Sequence, residues 1–499
     1  MFLAVVAILS IVLAFAQPVY RWVTPPGLVV AAVAGATLLP ALLAGTAGAY
    51  ALRLLERYPH EPQRGQAPMG WANHLVSPVL TACHAFVLLC TDWTLLVRST
   101  PVVGTWPVVP SLLSIVPFLI AVVLVWVVSY PAERAVRQIA VETFIFRQRP
   151  VRPVWTLGQY LVNNLRHQVL FILIPMLLIL AARDLIMRYD RELRELSGHP
   201  FLADVLLGGT AILVALIAPE ILRHVWSTRR LPDGPLRDRL QAVCRRLKLR
   251  YREILVWQAG GLIVNAAVMG VLAPLRYVLI TDAMLEQLDD TKIEAVFGHE
   301  AGHVKQHHIL FFLLFALISG AAVTIFSVRT RHLDPQGTEF QLIATAVGAV
   351  LLLKWVVVFT WISRRFERQA DVFGVRVLAL GGLPCAGPCV LHGTPTSNPG
   401  PLPPRGALCS SAALLFGNTL NDVAVLNGIA PDARSWRHGS ISGRSRTLIR
   451  LAHDPRAAAR SERQVLCVKW VIVLVSVGMC AWACSEINIW KLLNLAELF

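Results

Sequence analysis

Charge is what this sequence has least of. Only 15% of its 499 residues are charged, against 56% hydrophobic, whereas a soluble globular chain carries about a quarter charged residues. The deficit excludes water as the main solvent of the fold. Cysteine is sparse too: there are nine, an odd number without framework spacing, which excludes a disulfide-stapled scaffold. No Lys or Arg precedes the apolar run 2–17, so the charged start of a secretory signal is missing. Ala14-Phe15-Ala16 before Gln17 looks like a signal-peptidase site, but the run is expected to stay as a helix. No internal repeat is visible.

Long apolar runs fill the space that charge leaves. They fall near 2–17, 27–51, 74–97, 110–130, 167–187, 202–224, 308–328, 340–363 and 465–485, most of them near the roughly 20 helical residues that a hydrocarbon core requires. Backbone polar groups in lipid must be satisfied internally, so these runs are expected to be helices. The expected fold is a polytopic α-helical membrane protein of eight or nine spans with a small α+β domain. The net charge of +16 is distributed unevenly. Arg53, Arg57 and Arg64 follow the second span, Arg134 and Arg137 the fourth, Arg229 to Arg252 the sixth, and Arg364, Arg365 and Arg368 the eighth. The alternate loops are poorer in basic residues, which is the positive-inside pattern with even-numbered spans exiting to the cytoplasm. The basicity therefore reports topology. The bilayer is the expected partner, and nucleic acid is not.

A few polar residues interrupt the spans: Asp92, Glu220 and Lys354. Local pairing is expected for Glu220, which follows Pro219, and a water-filled cavity for Lys354. Trp126 and Trp155 read as interface anchors. Cys385, Cys389, His392 and Cys409 sit in a Pro/Gly-rich stretch; free thiols are expected there rather than a second metal site, since the spacing matches no common zinc module.

Two polar segments, 226–307 and 364–464, lie on the same expected side of the membrane. The first reads as helix, strand, strand, helix: Leu236, Leu240, Val243 and Leu247 at helical spacing, then Ile254 to Trp257 and Tyr277 to Thr281 as strands. A helix is expected from Thr291, with Thr291-x-x-Glu294 as a capping box. That helix carries His299-Glu300-Ala301-Gly302-His303. Residues four apart share one helix face, so His299 and His303 can address one ion while Glu300 stands beside it. Zinc with three protein ligands keeps a position for water, and Glu300 is placed to take the proton as general base.

A third ligand is needed. His307 lies two turns beyond His299, about 12 Å along an unbroken helix, and His308 lies one residue further. Gln306 stands where a metzincin would have Gly. Glu367 and Asp371 share one face of the helix expected over 364–380, and suit a carboxylate ligand with a second carboxylate orienting an imidazole; a solvated charged helix end is the alternative.

The combined pattern resembles the integral-membrane zincins related to CAAX prenyl protease 1 and the heat-shock protease HtpX, peptidase family M forty-eight. The resemblance rests on Asn265-Ala266 through Gly270, Glu294-Ala295-Val296 leading into the histidine motif, Phe366-Glu367-Arg368-Gln369-Ala370-Asp371, and His438 through Arg444. It implies one zinc ion per chain on His299, His303 and Glu367, with Glu300 as base and Asp371 supporting. It also implies an edge strand with Asn265, Ala266, Ala267 and Gly270 to hold an extended substrate, and His438 and Arg444 near the oxyanion. Gly439, where the family has Pro, Ala267, where an aromatic residue is common, and the insertion 381–435 depart from the pattern. The implied function is a membrane zinc endopeptidase acting on peptides or membrane proteins in quality control or processing. Its site would face the cytoplasm from a bacterial inner membrane or the endoplasmic reticulum. The alternatives are an inactive zincin-like chaperone or scaffold, or a transporter in which the motif is accidental. The expected organisation is a bundle over 1–225, catalytic segments at 226–307 and 364–464 separated by two spans at 308–363, and a last span and tail at 465–499.

Overall fold

The computed structural model describes residues 20–58, 62–101, 103–146, 154–197, 202–260, 263–330, 332–334, 336–383, 385, 391, 407–433, 435 and 438–487. The run 2–17, Cys389 and His392 lie outside them. Among the described residues, eight helices are long and apolar enough to cross a membrane: Pro26–Arg57, Pro68–Cys90, Val109–Ile139, Leu157–Arg188, Leu206–Val225, His308–Arg329, Thr338–Leu380 and Pro455–Ser485. These match the eight later apolar runs, and the chain is a multi-pass α-helical membrane protein with a small sheet. It divides into two units at Trp226–Ser227.

The first unit comprises α1 (Pro26–Arg57), α2 (Pro62–Cys90), α3 (Trp93–Ser99), α4 (Val109–Phe146), α5 (Leu157–Asn164), α6 (Phe171–Arg188), α7 (Asp190–Ser197) and α8 (Leu202–Val225). A π turn over Leu165–Leu170 joins α5 to α6. Phe118, Val122 and Trp126 of α4 pack with Leu80 of α2 and Leu180 of α6. Trp126 is thus core, not an interface anchor, because α4 turns that face inward. The expected span 74–97 is not one helix. It breaks at Thr91–Asp92, where Thr91 bridges to Val23 and Asp92 accepts from Arg21 Nε at 2.8 Å and from Nη2; an unpaired carboxylate inside a span is costly, and the break brings it to its partner. Glu220 pairs with Arg223 one turn on.

The second unit opens with β1 (Thr228–Arg230), α9 (Pro235–Arg246), β2 (Glu253–Trp257), β3 (Ala266–Met269) and β4 (Tyr277–Thr281). The sheet order is β1-β2-β4-β3. β2 and β4 run parallel, and β3 lies antiparallel to β4 at one edge. Four of the five residues of β2 and all of β4 are buried, which is why both read as unbroken apolar runs. β1 escaped the sequence reading because three residues, two of them Arg, show no alternation.

Then come α10 (Asp282–Gln287), α11 (Asp290–Lys305), α12 (His308–Arg329), α13 (Thr338–Leu353), α14 (Phe359–Leu380), α15 (Ser410–Leu426), α16 (Ile441–His453) and α17 (Pro455–Ile487). A π turn over Lys354–Val358 makes α13 and α14 one continuous rod. The cap of α11 is Asp289, not Thr291: its carboxylate accepts from the amides of Thr291 and Lys292 at 3.1 and 3.0 Å. Glu294 does not close a capping box because its buried carboxylate is taken by Arg239 of α9. Cys385 and Cys409 form no disulfide, and their sulfurs lie 3.4 Å apart within the insertion.

The unit depends on the close approach of α11 and α14. A Cβ on Gly302 would sit 3.1 Å from Phe373 Cβ and 3.2 Å from Ala370 Cα, and one on Gly374 would sit 3.1 Å from the His299 amide nitrogen. Only hydrogen fits between these backbones without movement. Gly302→Val is expected to destabilise the protein by about 1–3 kcal/mol through overpacking, read as a lower melting midpoint in detergent. An unchanged midpoint would show that the helices have room to spare.

Candidate metal centre

α11 presents His299 and His303 on one face, and α14 presents Glu367 and Asp371 one turn apart on the facing side. One donor atom from each of His299, His303 and Glu367 lies within 4.8 Å of the others. His299 Nε2 is 3.2 Å from His303 Nε2 and 3.5 Å from Glu367 Oε2; His303 Nε2 is 3.7 Å from Glu367 Oε1. Both nitrogens turn to a common point, which is the geometry the i, i+4 spacing predicts.

The back of each group is also held. His299 Nδ1 lies 2.9 Å from Asp371 Oδ1. Asp371 in turn accepts two bonds from Arg444, from Nε at 2.9 Å and Nη2 at 2.5 Å. Arg444 Nη2 is 3.7 Å from Glu367 Oε2, so it approaches the cluster chiefly through Asp371. His438 Nδ1 is 2.9 Å from Glu367 Oε1 and stays partly exposed. Ser440 caps α16 by accepting from the Gly443 amide, fixing the first turn from which Arg444 projects. Gly439 has φ +75° and exchanges two backbone bonds with Ser435. Proline has neither the amide nor that φ, so the departure from the family's Pro reflects a different local turn.

Glu300 projects from α11 beside β3, near enough for the Val268 backbone to favour its charged form. Burial pushes this carboxyl up to about 7; His299 opposes the rise and Glu367 adds to it. β3 reaches the site as an edge strand, with no strand paired to its far side among the described residues. The Thr281 amide bonds Asn265 O, so in an antiparallel ladder the odd-numbered residues of β3 face β4 and Ala266 and Val268 face away from it. Asn265 Oδ1 takes the Ala266 amide, leaving Ala266 O and Val268 O along that edge. Ala267 is bonded toward β4 and Gly270 adopts φ +105° just past the strand.

Sequence reasoning missed the support behind His303. The expected continuous helix ends at Lys305, and His307 takes a left-handed φ of +57°. The turn swings His308 back, so that its Nδ1 is 2.9 Å from His303 Nδ1 and its Nε2 is 2.9 Å from Gln369 Oε1. The His308 ring stacks on Phe366 at 4.3 Å. Axial distance kept His307 and His308 out of the ligand set, but it did not reveal this return. Phe416 of α15, 6.3 Å from the His299 ring, was also unforeseen, because it arrives from within the insertion.

Residues 231–386 match the model of Peptidase family M48. The Protease HtpX homolog of Archaeoglobus fulgidus is 28% identical over 171 residues, 33% of this chain and 48% of that protein. That of Pyrobaculum calidifontis is 30% identical over 172 residues, with the same shares. The chain thus spans about half the length of these curated relatives. The crystal structure of S. mikatae Ste24p shows a general likeness over 84% of this chain and 98% of that one, at 14% identity and a TM-score of 0.46. By this match, the segment 231–386 of the multi-pass membrane chain is similar to peptidase family M48.

Proposed function

We propose that the chain is a membrane-embedded zinc endopeptidase that hydrolyses peptide bonds in membrane-protein processing or quality control. Its site faces the cytoplasm. Segments 226–307 and 364–464 make the catalytic domain, and 1–225 is a membrane bundle of its own. The observation that carries this reading is the convergence of His299, His303 and Glu367 within 4.8 Å, with Glu300 next to His299 on a helix that packs against the edge strand β3.

Two imidazoles and one carboxylate, with a second carboxylate behind one imidazole, are a donor set that fits zinc. His299, His303 and Glu367 would hold one ion per chain. Bound there, zinc supplies a water of lowered pKa and polarises the scissile carbonyl. The protein's own groups do the rest. β3 binds an extended peptide by strand addition through Ala266 and Val268, and Asn265 fixes the strand by its side-chain bond to the Ala266 amide. Glu300 takes a proton from the attacking water and returns it to the leaving amine. His438, partly exposed beside Glu367, is the side chain placed to donate to the developing oxyanion. Arg444 acts as a positioning residue, clamping Asp371 and through it the His299 ring.

Two outcomes test these roles in the purified, detergent-solubilised protein. Glu300→Gln keeps about one zinc per chain and loses casein cleavage by about 10²–10⁴-fold, the usual worth of a general base; retained cleavage would remove Glu300 from the mechanism. Asp371→Asn and Arg444→Gln each weaken zinc about 10–100-fold in a chelator competition, the usual cost of losing a ligand's supporting partner. Unchanged affinity would leave the Asp371–Arg444 clamp with a purely structural role.

A further inference from the structure

A cavity of about 820 Å³ opens between α12, α14 and α17, away from the metal-candidate cluster. Phe315, Ile362, Val471 and Ile472 are among the apolar residues along it, and no Asp or Glu is among the described residues that line it. Its cations are divided between two ends. Arg365, Arg460 and Arg463 line the end nearer the cluster, since Arg365 precedes Glu367 by two residues and α17 begins on that side, where Glu462 pairs with Arg376 at 2.6 Å. Lys354 lines the other end. Its ammonium is already engaged, donating to Phe315 O at 2.7 Å and to Ser319 Oγ, and resting 4.0 Å over the Phe315 ring. Its inward ammonium is thus satisfied by two oxygens while the residue lines the cavity, as expected for Lys354 from the sequence.

The three arginines are differently placed. Among the described residues Arg463 makes no ion pair, and Arg460 reaches Asp454 only at 3.9 Å. Arg365 lies over the Trp361 ring at 3.4 Å and donates to Trp361 O at 3.2 Å, with no carboxylate on it among the described residues. Guanidinium forks suit phosphate oxygens better than any other protein cation. From Arg463 to Val475 the groove runs about 18 Å along α17 at 1.5 Å per residue. That is close to one leaflet, half of a hydrocarbon core about 30 Å thick. An anion-binding end and an apolar trough one leaflet long together describe a lipid.

We propose that this groove binds one anionic glycerophospholipid of the leaflet nearest the catalytic site. Its phosphate rests on Arg365, Arg460 and Arg463, and an acyl chain lies along Phe315, Ile362 and Ile472. The lipid then bridges α14 and α17, and braces the helix that carries Glu367. The binding does not depend on the proposed peptidase chemistry.

Trp361 lines the groove and reports on its occupant. The full-length protein is placed in phosphatidylcholine nanodiscs containing either brominated phosphatidylglycerol or brominated phosphatidylcholine at the same fraction. Wild type is compared with Trp361→Phe to isolate the fluorescence of that residue. The expected result is several-fold stronger quenching of Trp361 by the anionic lipid. That preference should be lost in Arg460→Gln/Arg463→Gln, two exposed side chains whose replacement should leave the melting midpoint unchanged. Equal quenching by both lipids in wild type would reduce the groove to ordinary annular contact and overturn the proposal. Quenching by neither would overturn it too, and would point to a protein segment as the occupant.

Discussion

Two carboxylates buried one helical turn apart govern the second unit. Glu367 and Asp371 are 4% and 1% exposed, and a buried ion costs several kcal/mol unless it is paired and hydrogen-bonded. Asp371 is satisfied by His299 on one side and the Arg444 fork on the other. Glu367 faces His299 and His303 and is held by His438. These partners come from α11 and from a segment, His438 to Arg444, that lies far downstream of α14. The pairing therefore requires α11 to approach within glycine distance, and α16 to return after the insertion. Either condition alone would leave a buried charge exposed to nothing.

The same constraint gives the cluster its chemical character. Imidazoles backed by Asp371 and His308 are fixed in orientation before any ligand arrives, and each uses one ring nitrogen for support and turns the other inward. Such preorganisation limits what must reorder on binding. Glu300 stands apart from this network. The Val268 backbone at the edge of the sheet favours its charged form, so the candidate base and the candidate substrate track lie side by side.

Much of this was legible in the sequence, for definable reasons. Apolar runs at least one bilayer long are unambiguous, so eight helices fall where expected. Doubly buried strands leave β-rich runs such as Tyr277 to Thr281. Spacing of four on a helix placed His299 with His303 and Glu367 with Asp371, and the structure brings these together with His438 and Arg444. The rest depended on tertiary partners that no local pattern encodes. Asp92 broke a span because Arg21 lay within reach, and Glu294 deserted a capping box for Arg239. His308 came back under His303 because one residue, His307, left the helical region. Local propensity is silent on each of these, since the deciding energy is the pairing of a buried polar group.

Zinc K-edge X-ray absorption on the purified protein tests whether a zinc ion is held by His299, His303 and Glu367, as proposed. The expected spectrum has a first shell of nitrogen and oxygen alone at about 2.0–2.2 Å, with the outer-shell scattering of two imidazoles. A sulfur shell near about 2.3 Å would place the metal on cysteines such as Cys385 and Cys409 instead, and a protein that takes up no zinc would contradict the account outright.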